Sequence, residues 1–477
     1  MRNLIKNKKI LLVGLGRLGG GAATAAFLAK RGAKLSVTDL NSAQELTSGL
    51  AKLKGLKIKY VLGKHREADF LNSDVIVFNQ AVSANSKWAR FAGENGKAIE
   101  TDLSLMLKIL NQVMPETEYI AITGTRGKTT TAVWTHHFLK PARIGGNIPA
   151  LAPLKILDRI LRAPQSGARK PLILEIPSYQ LEYWELNQNL KAPKIAVITN
   201  LYVDHLNRHG NMKNYALAKS RVFSNQTDKD FLILNYDINN APFFKRKPKS
   251  AIFYIALKSL PKNKNGLYCG GQKIIFQNNG QKKFVAEIEN FSPHRKQNLL
   301  AALLVGYLYG KKWKEMAAKI PSLPAVPFRQ EIVFKSGNLE IVNDSASTSP
   351  EGVAAAIDGF KPDIKKTALI CGGADKMLDF KNLARKIKKE VPRKNLFLLG
   401  GSATEKLVAE LEKLRYFKSK PRLSESVGEI IGAIKNRKCF EKIIFSPGAA
   451  SFGKFKNEFD RGRKFNKIIK ENFERGR

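Results

Sequence analysis

Short apolar runs that end in glycine or in a polar residue recur along the whole chain. A length of about four to six residues without helical periodicity is typical of strands buried on both faces of a parallel sheet. Such runs occupy residues 9–13, 34–38, 73–78, 171–176, 194–199, 231–234, 330–334, 339–342, 366–371, 395–399 and 442–445. Helix-compatible stretches separate many of them. The pattern therefore predicts an α/β protein whose ligands bind beyond the carboxyl ends of its strands.

A glycine-rich turn with a lysine directly follows another apolar run. Gly124 and Gly127 allow backbone N–H groups to turn toward an anion. Lys128 adds a positive charge for phosphates, and the Thr129 hydroxyl suits Mg²⁺. The spacing departs from the usual phosphate loop because Ile122 stands in place of the first glycine. An ordinary strand-to-helix turn is the alternative, but the flanking strand and helix patterns favour ATP binding. The ATP-binding candidates are Gly124, Thr125, Arg126, Gly127, Lys128, Thr129 and Thr130.

A second glycine motif lies near the N-terminus. Gly14, Gly16 and Gly19 form a G-x-G-x-x-G turn between a strand and an alanine-rich helix. Asp39 ends the following strand, 20 positions after Gly19, where an acidic residue can accept a hydrogen bond from a ribose or a base. The glycines predict a pyrophosphate site. From the residues alone, NAD(P), another nucleotide diphosphate such as UDP and a purely structural tight turn all stay open.

The order of these features divides the chain into three blocks. We expect a Rossmann-like nucleotide-binding domain over residues 1–99 and a central P-loop ATPase-like domain with a mostly parallel sheet over residues 100–325. A C-terminal Rossmann-like domain is expected over residues 326–477, after a proline-rich hinge at residues 321–327. With 477 residues, each block is long enough to bury a core of its own.

Polar residues at the strand ends of the central block predict a metal site beside the phosphate loop. Glu175 lies near the carboxyl end of one predicted strand, and Asn200 and His205 follow another, so all three lie at the edge where ligands bind in a parallel sheet. Mg²⁺ prefers oxygen ligands, which makes Glu175 the best carboxylate candidate. His205 fits either a ligand or an ordinary capping or packing histidine.

Charge and cysteine content narrow the class of protein. The chain has 82 Lys and Arg against 40 Asp and Glu, a net charge of +42. The basic residues are dispersed, without a basic tail, which favours solvated faces and attraction of anionic nucleotides over specific nucleic-acid binding.

Three separated cysteines, Cys269, Cys371 and Cys439, predict neither a disulfide framework nor a cysteine metal site. No apolar run predicts a membrane span. We therefore expect a cytoplasmic protein.

Several ordered segments together carry a resemblance to one family. They are residues 124–130, 145–148, 174–182, 200–205, 215–221, 327–331, 343–345, 372–376, 446–452 and 456–462. Over nearly the whole chain these segments resemble the Mur ligases. Ser451 and the run Asn457-Glu-Phe-Asp-Arg-Gly462 resemble the glutamate-adding member of that family.

The resemblance implies an ATP-driven ligase that adds D-glutamate to UDP-N-acetylmuramoyl-L-alanine in peptidoglycan precursor synthesis, and so serves the cell wall, cell shape and cell division. ATP would convert the substrate carboxylate to an acyl phosphate, which the amine of D-glutamate would attack. A carboxylate is a poor electrophile, so ATP supplies the leaving group. The resemblance also implies two Mg²⁺ ions, CO₂ bound as a carbamate on Lys219, and a monomer.

The resemblance assigns roles to individual residues. The implied catalytic residues are Lys128, Glu175, His205 and Lys219, and the implied Mg²⁺ ligands are Thr129, Glu175, His205 and Lys219. Further implied ATP contacts are Asn298, Arg329 and Asp344. UDP would be held by Gly16, Arg17, Leu18 and Asp39, which favours UDP over NAD(P). The muramoyl group would contact Asn147, Ser178 and Gln180, and glutamate would contact Lys376, Ser451 and Phe459.

Some positions depart from the family pattern. Pro177 replaces a serine after the motif glutamate, Arg295 interrupts the adenine-side motif, and Ala346 replaces a lysine. Asn79-Gln80-Ala81 replaces a Ser-Pro-Gly turn on the UDP side. Because the phosphate loop and the catalytic set are intact, we expect an active enzyme with an altered substrate pocket.

Three alternatives stay open from the sequence. A sibling ligase of the Mur or folylpolyglutamate type would add another amino acid, such as L-glutamate. A non-catalytic protein would bind nucleotides or nucleic acid with a steep salt dependence. A dehydrogenase would need a hydride-transfer site, and the sequence contains no recognisable one.

Overall fold

The structure is a computed structural model that describes residues 2–17, 19–148, 151–163, 170–187, 190–238, 247–289, 291–437 and 439–474. The chain forms two compact units. Unit 1 comprises Met1–Ile288 and Gln297–Ser322, and unit 2 comprises Glu289–Lys296 and Leu323–Arg477. None of the helices in the described ranges combines the length and the apolar character that crossing a bilayer requires.

The first sheet of unit 1 is wholly parallel. Its strands are β1 (Lys9–Val13), β2 (Lys34–Asp39), β3 (Ile58–Leu62), β4 (Val75–Phe78) and β5 (Ala98–Thr101). The helices of this segment are α1 (Arg2–Ile5), α2 (Gly20–Lys30), α3 (Thr47–Ala51), α4 (Glu67–Leu71), α5 (Lys87–Glu94) and α6 (Asp102–Val113). The strand order β3-β2-β1-β4-β5 reverses beside β1. The loop after β1 therefore lies at a topological switch point, where nucleotides bind in doubly wound sheets.

The second sheet of unit 1 carries the phosphate loop. Its strands are β6 (Tyr119–Thr123), β7 (Arg143–Gly146), β8 (Leu172–Glu175), β9 (Ile195–Ile198), β10 (Phe231–Asn235), β11 (Ala251–Ala256), β12 (Gly266–Gly270), β13 (Lys273–Asn278) and β14 (Gln281–Glu287). The accompanying helices are α7 (Lys128–Leu139), α8 (Pro153–Arg162), α9 (Ser178–Leu181), α10 (Leu206–His209), α11 (Met212–Ser220), α12 (Pro293–Leu308) and α13 (Trp313–Ala317). The order is β14-β13-β12-β11-β10-β9-β6-β8-β7. The β6, β8 and β9 strands are completely buried and parallel, so their polar carboxyl ends meet at one edge.

The two sheets of unit 1 share a hydrophobic core. This core joins Leu12 and Val37 of the first sheet to Ala121 and Leu174 of the second. Helix α2 packs on α8, and Arg31 just after α2 donates to Asp158 Oδ1 over 2.7 Å. The continuous apolar packing holds the two nucleotide-type loops of unit 1 in one body.

The sheet of unit 2 is mixed. Its strands are β15 (Glu331–Ser336), β16 (Leu339–Asn343), β17 (Thr367–Cys371), β18 (Leu396–Leu399), β19 (Leu423–Ser424) and β20 (Lys442–Phe445). The helices are α14 (Pro350–Gly359), α15 (Lys381–Glu390), α16 (Ser402–Lys413), α17 (Val427–Arg437) and α18 (Glu458–Phe473). In the order β15-β16-β20-β17-β18-β19, only the β15–β16 pair is antiparallel.

The predicted α/β class with three mostly parallel sheets is confirmed. The sequence pattern did not anticipate the antiparallel extension β12–β14, because β13 and β14 expose lysines and the apolar runs of these strands are short or interrupted. The first sheet continues through Thr101, two residues past the predicted end of its domain. The predicted domain boundaries stay predictions.

Candidate active site

The phosphate loop connects β6 to α7 through two glycines that no other residue could replace without strain. Gly124 has φ +142° and Gly127 has φ +79°. A Cβ on Gly124 would lie 2.0 Å from Thr199 Oγ1, and one on Gly127 would lie 2.1 Å from Asn298 Oδ1. The loop therefore needs glycine for both backbone conformation and space. The amino end of α7 faces the same loop, which suits an anion.

The predicted ATP and metal ligands Lys128, Thr129 and Glu175 lie together on this loop. Lys128 Nζ donates to the carbonyl oxygens of Gly124 (3.0 Å) and Thr125 (3.1 Å). The Thr129 hydroxyl donates to Glu175 Oε2 over 2.7 Å. Glu175 is 2% exposed at the end of β8. A hydroxyl and a carboxylate oxygen thus meet beside the phosphate loop, and Thr130 lies buried in the first turn of α7.

Lys219 reaches the same loop from α11. It is 1% exposed, and its Nζ donates to Gly124 O over 2.9 Å and lies 4.3 Å from the centre of the Tyr215 ring. Burial lowers the pKa of Lys219 well below its usual value, and the Lys128 cation lowers it further. The neutral, reactive form of the amine is therefore far more populated at this position than on a surface lysine.

His205 lies at the start of α10, with a left-handed backbone at φ +55°. Its ring lies 5.5 Å from the Tyr179 ring and 6.1 Å from the Tyr215 ring, which is the ring that Lys219 also contacts. Asp204 is 2% exposed, accepts from the His205 N–H at 2.9 Å and pairs with Arg126 at 3.2 Å. These contacts place His205, Lys219 and the phosphate loop around one aromatic ring.

Two asparagines, Asn200 and Asn298, contact the phosphate loop and stabilise its conformation. Asn200 Oδ1 accepts from the Arg126 N–H at 2.7 Å, and its Nδ2 donates to Arg126 O at 3.2 Å. Asn298, a predicted ATP contact, is buried against Gly127 and accepts from the Thr131 hydroxyl at 3.4 Å. In this structure Asn298 shapes the phosphate loop.

The oxygen atoms at this edge fit Mg²⁺. Within the described ranges, no cluster of three or more His, Cys, Asp and Glu side chains forms a ready-made metal cage. Mg²⁺ needs no such cage, since it keeps several waters and takes one or two carboxylates together with substrate phosphates. The Thr129 hydroxyl and the Glu175 carboxylate, in contact at 2.7 Å, are such a pair.

The predicted UDP residues surround the loop after β1. Asp39 Oδ2 accepts from the backbone N–H groups of Leu15 (2.8 Å) and Gly16 (2.9 Å), and its Oδ1 accepts from Asn41. Burial alone would raise the Asp39 pKa, but these hydrogen bonds outweigh it and the pKa is lowered. Arg17 pairs with Glu45 and Asn41. The fourth predicted UDP residue, Leu18, lies outside the described residues.

A pair of charged residues ties the loop after β4 to the central sheet. Arg208 donates to both carboxylate oxygens of Glu182, at 2.7 and 2.8 Å. The same guanidinium donates to the carbonyl oxygens of Gln80 (2.9 Å) and Val82 (2.9 Å). We name this group the loop clamp. It was not predicted from the sequence, although Glu182 lies within one of the family-like segments, because the two partners are 26 positions apart.

The predicted muramoyl contacts lie near the loop clamp. Asn147 donates from its backbone to Glu175 O over 2.9 Å, and its Oδ1 accepts from Gln80 Nε2 at 3.5 Å. Ser178 Oγ lies 3.0 Å from His209 Nε2.

Gln180, the third predicted muramoyl contact, donates to Asp102 Oδ1 at 3.2 Å. His209, Asp102 and Gln80 are therefore neighbours of the predicted site that sequence reasoning did not identify.

In unit 2 the predicted ATP contact Asp344 is deeply buried. Asp344 Oδ2 accepts from the Ser446 hydroxyl at 2.7 Å, and Oδ1 accepts from the Gln330 N–H at 3.2 Å. Burial raises the pKa of Asp344 to about 7, although the positive charges of Arg329 and Arg461 oppose this rise. Arg329, the other predicted ATP contact of this unit, is thus close enough to Asp344 to act on its charge.

Two of the three predicted glutamate contacts, Lys376 and Ser451, occupy loops that pair with each other. Ala374 and Ala450 form an isolated bridge, with N–H···O distances of 3.0 and 2.9 Å. Lys376 lies two residues beyond one bridged residue and Ser451 directly after the other. Phe459, in the first turn of α18, packs its ring 6.2 Å from that of Phe328.

Arg461 joins the loop that carries Ser451 to the segment after β16, and it was missed as a functional candidate. It is 1% exposed and donates to the carbonyl oxygens of Ala449 (3.0 Å), Ala450 (3.2 Å) and Ser345 (2.8 Å). Burial lowers the Arg461 pKa to about 10. A signal was present, since Arg461 lies in the family-like segment 456–462.

A strand, a glycine-rich lysine loop and a helix, with an adjacent carboxylate and a buried lysine, define a P-loop nucleotide-dependent enzyme. Comparison with known proteins narrows the class. A family described as the Mur ligase middle domain matches residues 122–306. The UDP-N-acetylmuramoylalanine–D-glutamate ligase of Borreliella burgdorferi (strain ZS7) is 35% identical over 98% of this chain and 98% of its own length. The protein of the same name from Roseiflexus sp. (strain RS-1) is 31% identical over 98% of this chain and 99% of its own.

Solved structures agree with this relationship at the level of the fold. The UDP-N-acetylmuramate-alanine ligase of Thermotoga maritima has a TM-score of 0.59 at 18% identity, over 98% of this chain and all of that one (100%). The MurF ligase of Thermotoga maritima, solved with ADP, has a TM-score of 0.58 at 15% identity, over 100% of this chain and 97% of that one. The chain belongs to the Mur ligase family.

Proposed function

We propose that this protein couples ATP hydrolysis to the addition of D-glutamate to UDP-N-acetylmuramoyl-L-alanine, a step of peptidoglycan precursor synthesis. The observation that carries the proposal is identity of 31–35% along almost the full length to ligases of that name. The gathering of Lys128, Glu175 and Lys219 at one phosphate loop supports it.

The chemistry requires the site to hold two anions close together. The alanine carboxylate attacks the γ-phosphorus of ATP, which forms an acyl phosphate and releases ADP. The amine of D-glutamate then attacks the acyl carbon, loses a proton, and the tetrahedral intermediate expels phosphate. In this proposal the loop N–H groups from Gly124 to Thr130 bind the ATP phosphates, and Lys128 balances their charge.

Mg²⁺, when bound, would neutralise phosphoryl charge. We propose that Thr129 and Glu175 hold one ion, and that His205 and Lys219 contribute to a second. A lysine can serve there only as a carbamate, which replaces a cation by carboxylate-like oxygens. The lowered pKa of Lys219 supports this role, because CO₂ reacts with the neutral amine.

The remaining contacts are proposed from the resemblance. Gly16, Arg17, Leu18 and Asp39 would hold UDP, and Asn147, Ser178 and Gln180 would contact the muramoyl group. ATP would also contact Asn298, Arg329 and Asp344, and glutamate would contact Lys376, Ser451 and Phe459. We propose a cytoplasmic location because the reaction consumes ATP and a UDP-linked substrate, and the monomeric state stays a prediction.

Phosphate release from Mg-ATP tests the proposal. The assay contains UDP-N-acetylmuramoyl-L-alanine and receives D-glutamate, L-glutamate or another amino acid, one at a time. Release with D-glutamate alone is the expected result and would show that Pro177 and Ala346 are tolerated. Release with a different amino acid would keep the mechanism and change the specificity. If no amino acid causes phosphate release, the proposed function is contradicted.

A further inference from the structure

Gln180 has a buried carbonyl oxygen that lacks a partner in the described part of the chain. The side chain is 2% exposed, and Oε1 makes no hydrogen bond there. Buried polar atoms in proteins are nearly always paired, so such an oxygen indicates a donor on a ligand. The other end of the carboxamide is occupied, because Nε2 donates to Asp102 Oδ1 over 3.2 Å.

Asp102 determines which end of Gln180 is available. An ionised carboxylate can only accept hydrogen bonds, so the amide must turn its N–H₂ group toward Asp102. The reversed amide would place two acceptor oxygens against each other. Asp102 lies in the first turn of α6, where the helix dipole favours a negative charge, and its Oδ1 also accepts from the Leu103 N–H at 2.9 Å.

We propose that Asp102 is a positioning residue for the UDP-linked substrate: it holds the Gln180 carboxamide so that Oε1 accepts an N–H or O–H donor of that substrate. The inference rests on the proposed function and adds a residue to it. It assigns Asp102 no contact with the reacting atoms, so its removal should weaken substrate binding more than turnover.

A merely structural role for Asp102 at the start of α6 is the competing explanation, and Thr101 provides the matched control. Thr101 Oγ1 accepts from the Ser104 N–H at 3.1 Å in a capping box at the same helix end. Thr101→Ala should lower the Tm by removing this cap. It should leave the KM for the UDP-linked substrate within about twofold, since the orientation of Gln180 does not depend on Thr101.

The test is steady-state phosphate release at saturating Mg-ATP and D-glutamate with varied UDP-N-acetylmuramoyl-L-alanine. Asp102→Asn should raise the KM for that substrate about tenfold with kcat and the KM for ATP within about twofold, because a neutral amide no longer orients Gln180. Gln180→Glu should have a similar effect, since two carboxylates would face each other.

The double variant D102N/Q180E should recover most of the lost KM. In that variant the amide introduced on α6 would donate to one oxygen of the carboxylate introduced on α9. The other carboxylate oxygen would stay free to accept from the substrate. A purely structural role predicts additive damage instead of recovery.

The wild-type enzyme offers a readout that needs no variant. Burial raises the pKa of Asp102 to about 6, opposed by the N–H groups of Leu103, Gln180 and Asp102 itself, and no charged side chain of the described residues contributes. A protonated Asp102 can donate to Oε1 and compete with the substrate. The KM for the UDP-linked substrate should therefore rise below about pH 6 in the wild type, and this rise should be absent in Asp102→Asn, which has no titratable group at position 102.

The outcomes separate this inference from the proposed function. Three results in a wild-type enzyme that turns over would overturn this inference alone: a KM for Asp102→Asn equal to that of Thr101→Ala, a flat wild-type pH profile, or no recovery in the double variant. A wild-type enzyme that neither turns over nor binds the UDP-linked substrate in calorimetry would overturn the proposed function and this inference together.

Discussion

Lys219, beside the phosphate loop, differs strongly from an ordinary surface lysine. Its long apolar stem is buried beside Tyr215, and its amine ends at the carbonyl oxygen of Gly124. A carbonyl oxygen compensates a buried positive charge less than a carboxylate would, so burial favours the neutral form and lowers the pKa. No local sequence pattern distinguishes it from exposed lysines on the same helix, such as Lys213.

Lys219→Ala should reduce ligase activity at least about a hundredfold, because it removes a proposed charge-bearing ligand of the reacting groups. ATP binding, measured by calorimetry, should change much less. Lys213→Ala on the same helix is the control and should retain full activity. Added bicarbonate should not restore the Lys219→Ala variant, and near-normal turnover would remove the carbamate from the mechanism.

His209 is a second residue whose charge depends on burial. Burial lowers its pKa to about 4 against an ordinary value of 6.5; Glu182 opposes this shift and nearby cations reinforce it. Between these two values the folded state binds fewer protons than the unfolded state. The stability contributed by neutral His209 is therefore complete above about pH 6.5 and is lost as the pH falls toward 4.

His209→Gln should lower the Tm at pH 7.5, because it weakens the contact with Ser178. On acidification to about pH 5 the Tm gap between wild type and variant should narrow, since only the wild type must protonate a buried imidazole. Thermal unfolding from pH 7.5 to 5 measures this, with His137→Gln as a control at a less buried site. A gap that widens in acid would show that the histidine is charged when folded.

At the scale of elements, the strand–loop–helix unit from β6 to α7 depends on glycine twice. Position 127 requires glycine because its φ is positive, and also because Asn298 leaves no space for a Cβ there. Gly55 has nearly the same φ, +82°, but a Cβ added there would meet no atom within 4 Å among the described residues. Comparing an alanine substitution at each position therefore distinguishes the effect of backbone strain from the effect of a steric clash.

Gly127→Ala and Gly55→Ala should each cost about 1 kcal/mol of stability through the left-handed backbone. Gly127→Ala should in addition weaken ATP binding more than tenfold, because the methyl group would displace Asn298 or deform the phosphate loop. Gly55→Ala should leave ATP binding unchanged. Calorimetric titration with ADP compares them, and equal affinities would mean that the Gly127 contact does not shape the nucleotide site.

At the scale of the whole molecule, the net charge of +42 affects how anions approach. A positive field raises the local concentration of nucleotides, and salt screens it over about 10 Å at 0.1 M. The proposed substrates carry several negative charges each. The charge therefore favours substrate capture without requiring a nucleic-acid partner.

Raising NaCl from about 50 to about 300 mM should increase the KM for ATP and for the UDP-linked substrate several-fold, with kcat nearly constant. Steady-state kinetics measures both. Duplex DNA at the same salt concentrations is the comparison ligand, and tight, steeply salt-dependent DNA binding with salt-independent KM values would favour the nucleic-acid alternative.

The sequence by itself determined the class of fold and the identity of the loops. Buried parallel strands appear as continuous apolar runs, so the elements around Gly124 and Gly16 were predictable from local pattern. Glycine turns and the phosphate-loop lysine are also local signals, because a few consecutive residues build them. The family resemblance added Lys219, Arg329 and Phe459, which no local pattern singled out.

Only the tertiary structure decided which distant side chains meet. The pairing of Arg208 with Glu182, the contact of Ser178 with His209 and the hydrogen bond from Gln180 to Asp102 join residues that are 26, 31 and 78 positions apart. The lowered pKa of Lys219 likewise results from its burial, which depends on the tertiary structure. Hydrogen bonding and desolvation depend on what packs around a group in space, and sequence spacing does not specify that packing.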